Sequence, residues 1–353
     1  MQNFFPLVWD STQLSAYNSC QIRWFRNHVQ HLQQKESTDL IAGGAFAHGV
    51  HKARVAFYEN RASTFDAIDV GIKALYEEYG DYFDPFKPAK SSHRMALALE
   101  SYFNEYDLKY DECQPLQLSD GKYSIEYSML EPILDANGNP LLHPTLKLPL
   151  LFSGRIDMLA KHAGGIYLVD EKTTGSFFSK NWAHQWQTRG QFTGYVWLAR
   201  QSNIPELHNV IGAIIRGICV PTSTATKQET IDKFYSSIET IKHISGITAR
   251  NDHEVDCWHR DMLRSITAAL GSYTEYLSAG EKEPEKYFSG NWGSSCTDYG
   301  RGCMFIDTCK SPNGERFLES ELEQYIWRPE LHKRQLLDEY LLELSSLSTS
   351  KGE

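Results

Sequence analysis

Two strand-like runs separated by Ala163-Gly164-Gly165 constrain this chain of 353 residues more than any other feature. Leu148 to Leu159 and Ile166 to Thr173 are rich in apolar and branched side chains, and the glycine pair between them is hairpin chemistry. Side chains alternate along a strand, so Asp170 and Lys172 point to one face. Directly opposite residues of an antiparallel pair also share a face. A loop of even length centred near 163–165 therefore sets Asp157 against Asp170 or Lys172. An odd loop sends Asp157 to the other side of the sheet.

Two carboxylates and one ammonium on one patch suit a hard divalent cation. Mg²⁺ takes oxygen ligands, keeps several waters and often uses only one or two carboxylates. Such an ion can activate a water and neutralise charge on a phosphate, while a lysine stabilises the charged transition state. The same segment also reads as a surface hairpin with a cross-strand ion pair worth about 0–1 kcal/mol. Around it stand Glu126 in an earlier strand, His48 in the first turns of a helix, and Gln191 with Tyr195 at helical spacing.

Seven cysteines are present, an odd number in a long chain, which argues against a disulfide framework and for a reducing, cytosolic compartment. Cys296, Cys303 and Cys309 crowd one polar loop, and Cys20 lies far upstream behind a short helix. Four thiolates suit either a [4Fe–4S] cluster or Zn²⁺, and a distant single cysteine joined to a local triplet favours the cluster. Cys113, Cys219 and Cys257 have no such spacing and read as small core residues. The formal net charge of −10 weighs against nucleic acid as a partner unless one groove is locally positive. No apolar run reaches the length of a membrane span, and the first residues lack a secretory pattern.

The texture of the chain predicts an α/β fold. Asp10 is a candidate N-cap for a helix leading to Cys20. Gly43-Gly44 is a candidate break before a helix from about 45 to 60. Helical signals fill 66–110 with Ser91-Ser92 as a cap, strands follow at 123–129, 148–159, 166–173 and 210–220, and helices return at 182–200 and 255–278. An amphipathic helix is expected over 329–344. The division is an N-terminal segment to 40 with the first cysteine, a helical region 41–120, a core 121–225, helices and the cysteine triplet 226–312, and a tail 313–353. No phosphate-binding G-x4-G-K-[ST] segment occurs, so unwinding by ATP would need another chain.

Taken in order, these segments resemble the RecB-like branch of the PD-(D/E)XK nucleases, in particular its iron–sulfur members: the AddB-type nuclease domain, CRISPR-associated RecB-like exonucleases and related phage proteins. Ser11 to Phe25, with its helix ending at Cys20, is similar to the opening signature. Gly44-x3-His48 looks like motif I, Gly154-Arg-Ile-Asp157 like motif II, Val169-Asp170-Glu171-Lys172-Thr173 like motif III, and Gln191-x3-Tyr195 like the Q-x3-Y motif. The resemblance spans roughly residues 10 to 310. It implies a restriction-endonuclease-like core with a central mixed sheet flanked by helices, helical insertions and a C-terminal iron–sulfur staple. It implies that His48, Asp157 and Asp170 bind Mg²⁺ or Mn²⁺ with the Glu171 carbonyl, that Asp157, Asp170, Glu171 and Lys172 make up the catalytic set with Lys172 as its cation, and that Gln191 and Tyr195 contact DNA or support the site. It implies a cluster on Cys20, Cys296, Cys303 and Cys309, and an exonuclease acting on single strands or DNA ends in a bacterial or phage-infected cell, with a helicase or recombination partner. The chain departs from the pattern in three places. The first gap of the cysteine triplet is six residues rather than two, Gln21 stands where proline is usual, and Glu171 stands where an apolar residue is usual. The alternative is a catalytically silent DNA-binding or assembly module in recombination, phage DNA processing or CRISPR adaptation.

Overall fold

The computed structural model describes residues 4–34, 38–82, 84, 90–175, 177–220, 240–297, 302–320, 322, 325–327, 338 and 340–342. In chain order its main elements are strand β1 (Val8–Trp9), helix α1 (Ser11–Ser19), helix α2 (Thr38–Arg54), helix α3 (Thr64–Tyr79), helix α4 (Ser92–Glu105), strand β2 (Gln114–Pro115), strand β3 (Ile125–Pro132), strand β4 (Leu151–His162), strand β5 (Gly165–Thr174), helix α5 (Gly190–Gln201), strand β6 (Val210–Cys219), strand β7 (Lys242–Ala249) and helix α6 (Asp252–Ser278). The chain forms two compact units that interleave along the sequence: residues 1–35, 129–154 and 256–353 in one, 36–128 and 155–255 in the other. Most of the amphipathic helix expected over 329–344 lies outside the described residues. Among the described residues no helix is long and apolar enough to cross a membrane.

The unit holding residues 155–255 is built on a mixed sheet. β4 and β5 pair antiparallel, β5 and β6 parallel, and β6 and β7 antiparallel, with β2 and β3 also on β4. The parallel step is made possible by the α5 crossover between β5 and β6. Local chemistry explains the helix starts. Ser63 accepts from the Asp66 N–H and Ser91 from the Arg94 N–H, each satisfying an orphan donor of the first turn. Burial explains the rest. Ala42, Phe46 and Val50 of α2 pack with Leu75 of α3, Leu99 and Tyr102 of α4, and Ile218 of β6. This packing also carries α2 straight through Gly43-Gly44, where a break is expected, offsetting roughly 1 kcal/mol of propensity per glycine. The region expected to be helical from 182 to 200 divides into a 3₁₀ turn at Ala183–Trp186 and α5. β7, which has weak strand composition, is recruited by eight backbone pairings to β6, from Gly212↔Ala249 to Cys219↔Lys242.

The unit holding the chain ends has an aromatic core. Trp9 and Trp24 stack at 5.1 Å, and Tyr17, Phe5, Tyr273 and Phe288 join them edge-on or tilted. α1 starts as expected, with Asp10 accepting from the Gln13 N–H at 2.7 Å. β1 pairs parallel with the first residues of β4, Val8↔Leu151 and Trp9↔Phe152.

Candidate active site

The hairpin register decides whether there is a site at all. β4 and β5 pair from Met158↔Val169 to His162↔Gly165. The loop is therefore Ala163-Gly164, with φ of 47° and 83°, the two left-handed residues that a two-residue type I′ turn requires. Two is even, so one further step of the register brings Asp157 against Asp170. The Asp157 Oδ2 accepts from the Glu171 N–H at 3.0 Å, and Lys172 Nζ lies 2.5 Å from Asp170 Oδ2. Asp170 is 5% exposed.

Charge is unbalanced here. Burial pushes the Asp157 carboxyl well above the usual carboxylate range, and the neighbouring Asp170 and Glu171 push it further. Burial also raises Asp170, with Lys172 opposing it. For Lys172, burial works to lower the ammonium, but Asp170 and Asp157 outweigh it and the net shift is upward. Two carboxylates that repel, with one cation paired to Asp170, form a donor set for a hard cation. Among the described residues no three or more His, Cys, Asp or Glu side chains are gathered to hold a metal ion. Mg²⁺ does not need three, since waters and backbone oxygens fill its sphere.

Glu171 goes elsewhere. Its carboxylate leaves by the opposite face of the sheet, where Arg54 of α2 meets it at 2.5 Å and the Tyr102 hydroxyl of α4 donates to it at 2.7 Å. Arg216, its partner across β5 and β6, donates to the same hydroxyl at 3.2 Å and pairs with Asp111 at 2.7 Å. Burial acts to raise the Glu171 carboxyl, but Arg54, Tyr102 and Arg216 outweigh it and hold it at about 2. The Glu171 side chain is thus held by Arg54 and Tyr102 on the far face, while its backbone N–H meets Asp157. Arg54, Tyr102, Arg216 and Asp111 are absent from the sequence expectations. Arg216 alone left a signal, a cation interrupting the most apolar strand run.

Around this centre, Glu126 has φ of 50° and pairs with Arg155 at 3.0 Å. Burial raises its carboxyl, and the Asp170 charge adds to the shift. His48 sits on α2 with its ring 6.4 Å from that of His51, and among the described residues no hydrogen bond or ion pair joins it to Asp157 or Asp170. His51 is held neutral down to about pH 4, by burial first and then by Lys52, His48 and Arg155. Gln191 and Tyr195 meet on α5, where the amide donates to the phenol oxygen at 3.0 Å.

In the other unit, Cys20, Cys296, Cys303 and Cys309 line one cavity of about 170 Å³, walled by Ile22 and Phe305. All four are free thiols. The Cys303 N–H donates to the Cys296 carbonyl at 2.8 Å, closing the loop between them. The fully buried Arg26 donates to Cys309 Sγ at 3.3 Å. Cys113 and Cys219 are buried and Cys257 is half-buried.

A sequence profile described as the PD-(D/E)XK nuclease superfamily matches residues 10–310. Among curated proteins no match is found. The mixed sheet flanked by helices is consistent with the core of that superfamily.

Proposed function

Because the chain belongs to the PD-(D/E)XK nuclease superfamily, we propose that it is a Mg²⁺- or Mn²⁺-dependent deoxyribonuclease of the RecB-like branch, acting as an exonuclease on single strands or DNA ends. The observation that carries this reading is the register that sets Asp157 against Asp170 with Lys172 on the same face. Asp157 and Asp170, with the Glu171 carbonyl and His48 as further donors, would hold the cation. When bound there, the cation supplies an activated water and neutralises charge on the phosphate. Lys172 lies against Asp170 and would stabilise the transition-state charge. Arg54 and Tyr102 pin the Glu171 side chain, which holds the backbone between Asp170 and Lys172 in place. Gln191 and Tyr195 would contact the nucleic acid.

The four cysteines support an iron–sulfur cluster with a structural role, joining residue 20 to residues 296–309. Zn²⁺ is the alternative occupant of the same four thiols, which line one cavity. A cluster there supplies a covalent tie between distant parts of the chain; burial pushes the Cys309 thiol up, and Arg26, which donates to its Sγ, opposes that shift.

Anaerobic purification followed by a visible spectrum and a Mn²⁺-dependent assay on end-labelled DNA tests both parts. Asp170→Ala and Lys172→Ala are expected to abolish cleavage while the far-ultraviolet dichroism stays native. Full activity in either variant refutes the nuclease assignment. A colourless protein that still cleaves refutes the cluster alone.

A further inference from the structure

The segment between the catalytic strand and α5 has no role in the site so far. In a chain of net charge −10, residues 172–205 contain no Asp or Glu and four cations, Lys172, Lys180, Arg189 and Arg200. The segment is also aromatic, and its rings are built onto the catalytic face. Gly217 pairs with Lys172 across β5 and β6, so it lies one strand, about 4.8 Å, from the lysine and on the same side. A Cβ at Gly217 would fall 2.5 Å from Trp182 and 2.8 Å from Phe178, which shows that these two rings lie directly over it. From there Trp182 touches Trp186 with ring centroids 5.4 Å apart, and Trp186 touches Phe192 of α5 at 6.0 Å. The buried Arg250 fixes the far end, donating to the Trp186 carbonyl at 2.9 Å and to Thr193 Oγ1 at 2.9 Å. On this rigid base Phe177 stands 74% exposed, Lys180 and Arg189 are exposed, and the Arg189 guanidinium lies 5.7 Å from the Trp186 ring.

We propose that Phe177, Lys180 and Arg189 form a landing shelf for single-stranded DNA beside the catalytic carboxylates, with Phe177 stacking a base and the two cations meeting phosphates. The inference rests on the nuclease reading above and names the strand form that reaches the site. An exposed ring offers its face to any unpaired base without sequence preference, whereas bases in a duplex are already stacked on each other. Exposed cations in the same segment as such a ring match the backbone that carries the base. The acid-free stretch answers the objection of the overall negative charge: Lys172 and Arg200 pair with Asp170 and Asp252, but the exposed Lys180 and Arg189 stand in a segment that contributes no carboxylate of its own.

The experiment is a fluorescence-anisotropy titration of labelled oligothymidylate and of a duplex of equal length, in chelator so that no cleavage occurs. Phe177→Ala is expected to raise the single-strand Kd about tenfold and leave duplex binding unchanged, and Phe177→Trp to restore it. Lys180→Ala with Arg189→Ala is expected to reduce the salt slope of single-strand binding by about 1.4, roughly 0.7 for each phosphate no longer neutralised. Unchanged affinity in Phe177→Ala, an unchanged salt slope, or an equal loss on duplex overturns the shelf. Melting curves show whether each variant is folded, and Phe177 is exposed enough that its removal leaves the core untouched. Asp170→Ala, run in parallel, binds normally and does not cleave. If Asp170→Ala still cleaves, the nuclease reading fails while the binding titration still judges the shelf.

Discussion

Replacing Arg54 with Met removes one partner of a buried ion pair and leaves the other. The Arg54 and Glu171 side chains are 4% and 2% exposed and meet at 2.5 Å. Breaking such a pair costs about 3–5 kcal/mol, because the surviving charge is buried without compensation. The lowered Glu171 carboxyl points the same way, with Tyr102 and Arg216 adding to Arg54. Held at about 2 against an ordinary value near 4.3, it prefers its ionised form by roughly 3 kcal/mol, at about 1.4 kcal/mol per pKa unit. A domain of ordinary stability has only about 5–15 kcal/mol in total. Urea unfolding of Arg54→Met should therefore lose about 3 kcal/mol or more, and Arg54→Met with Glu171→Gln should recover at least half of that, a coupling that a double-mutant cycle isolates. A carboxyl whose folded value lies below its unfolded value stabilises the fold above about pH 4 and loses that contribution as pH falls toward 2. Wild-type stability should decline through that window, and Glu171→Gln should decline less. A loss under about 1 kcal/mol in Arg54→Met, or losses that simply add in the double variant, would refute the claim that this pair braces the catalytic strand.

Two further outcomes follow from other charges. Asp157 is raised well above its usual range, so its anion costs stability at neutral pH; Asp157→Asn should melt higher than wild type in chelator, by on the order of 1 kcal/mol or more, and should lose the stabilisation that saturating Mg²⁺ confers on wild type. Equal melting shifts with Mg²⁺ in both proteins would remove Asp157 from the cation site. His143, 1% exposed, accepts from the Thr145 and Leu146 N–H groups at Nδ1 and faces the Phe5 carbonyl at 2.8 Å through Nε2, so the neutral ring is the form that fits. Burial lowers its pKa; the unfolded chain then binds the extra proton, stability falls as pH drops below about 6.5, and His143→Gln should show a shallower decline between about pH 7 and 5. An unchanged slope in chemical unfolding would place the pH sensitivity elsewhere.

What the sequence determined by itself was local. The period of two put Asp170 and Lys172 on one face, Gly164 marked the turn, and Asp10 and Ser91 marked helix starts. Order along the chain was enough to read a resemblance through Asp157 and the Q-x3-Y segment, because each motif is short and written in consecutive residues. What needed the tertiary structure was everything set by contact at long range. Whether Asp157 shares the face of Asp170 hung on the length of one loop. The glycines at 43 and 44 broke nothing, since Ala42 and Phe46 beside them are buried. β7 exists because β6 offers it a free edge, not because its composition demands a strand. The Glu171 side chain could be assigned to no role until Arg54, 117 residues away, and Tyr102 were seen to hold it on the far face. A backbone pattern fixes direction within a few residues, but a buried charge is placed by the partner that neutralises it, and that partner is chosen by the packing of the whole unit.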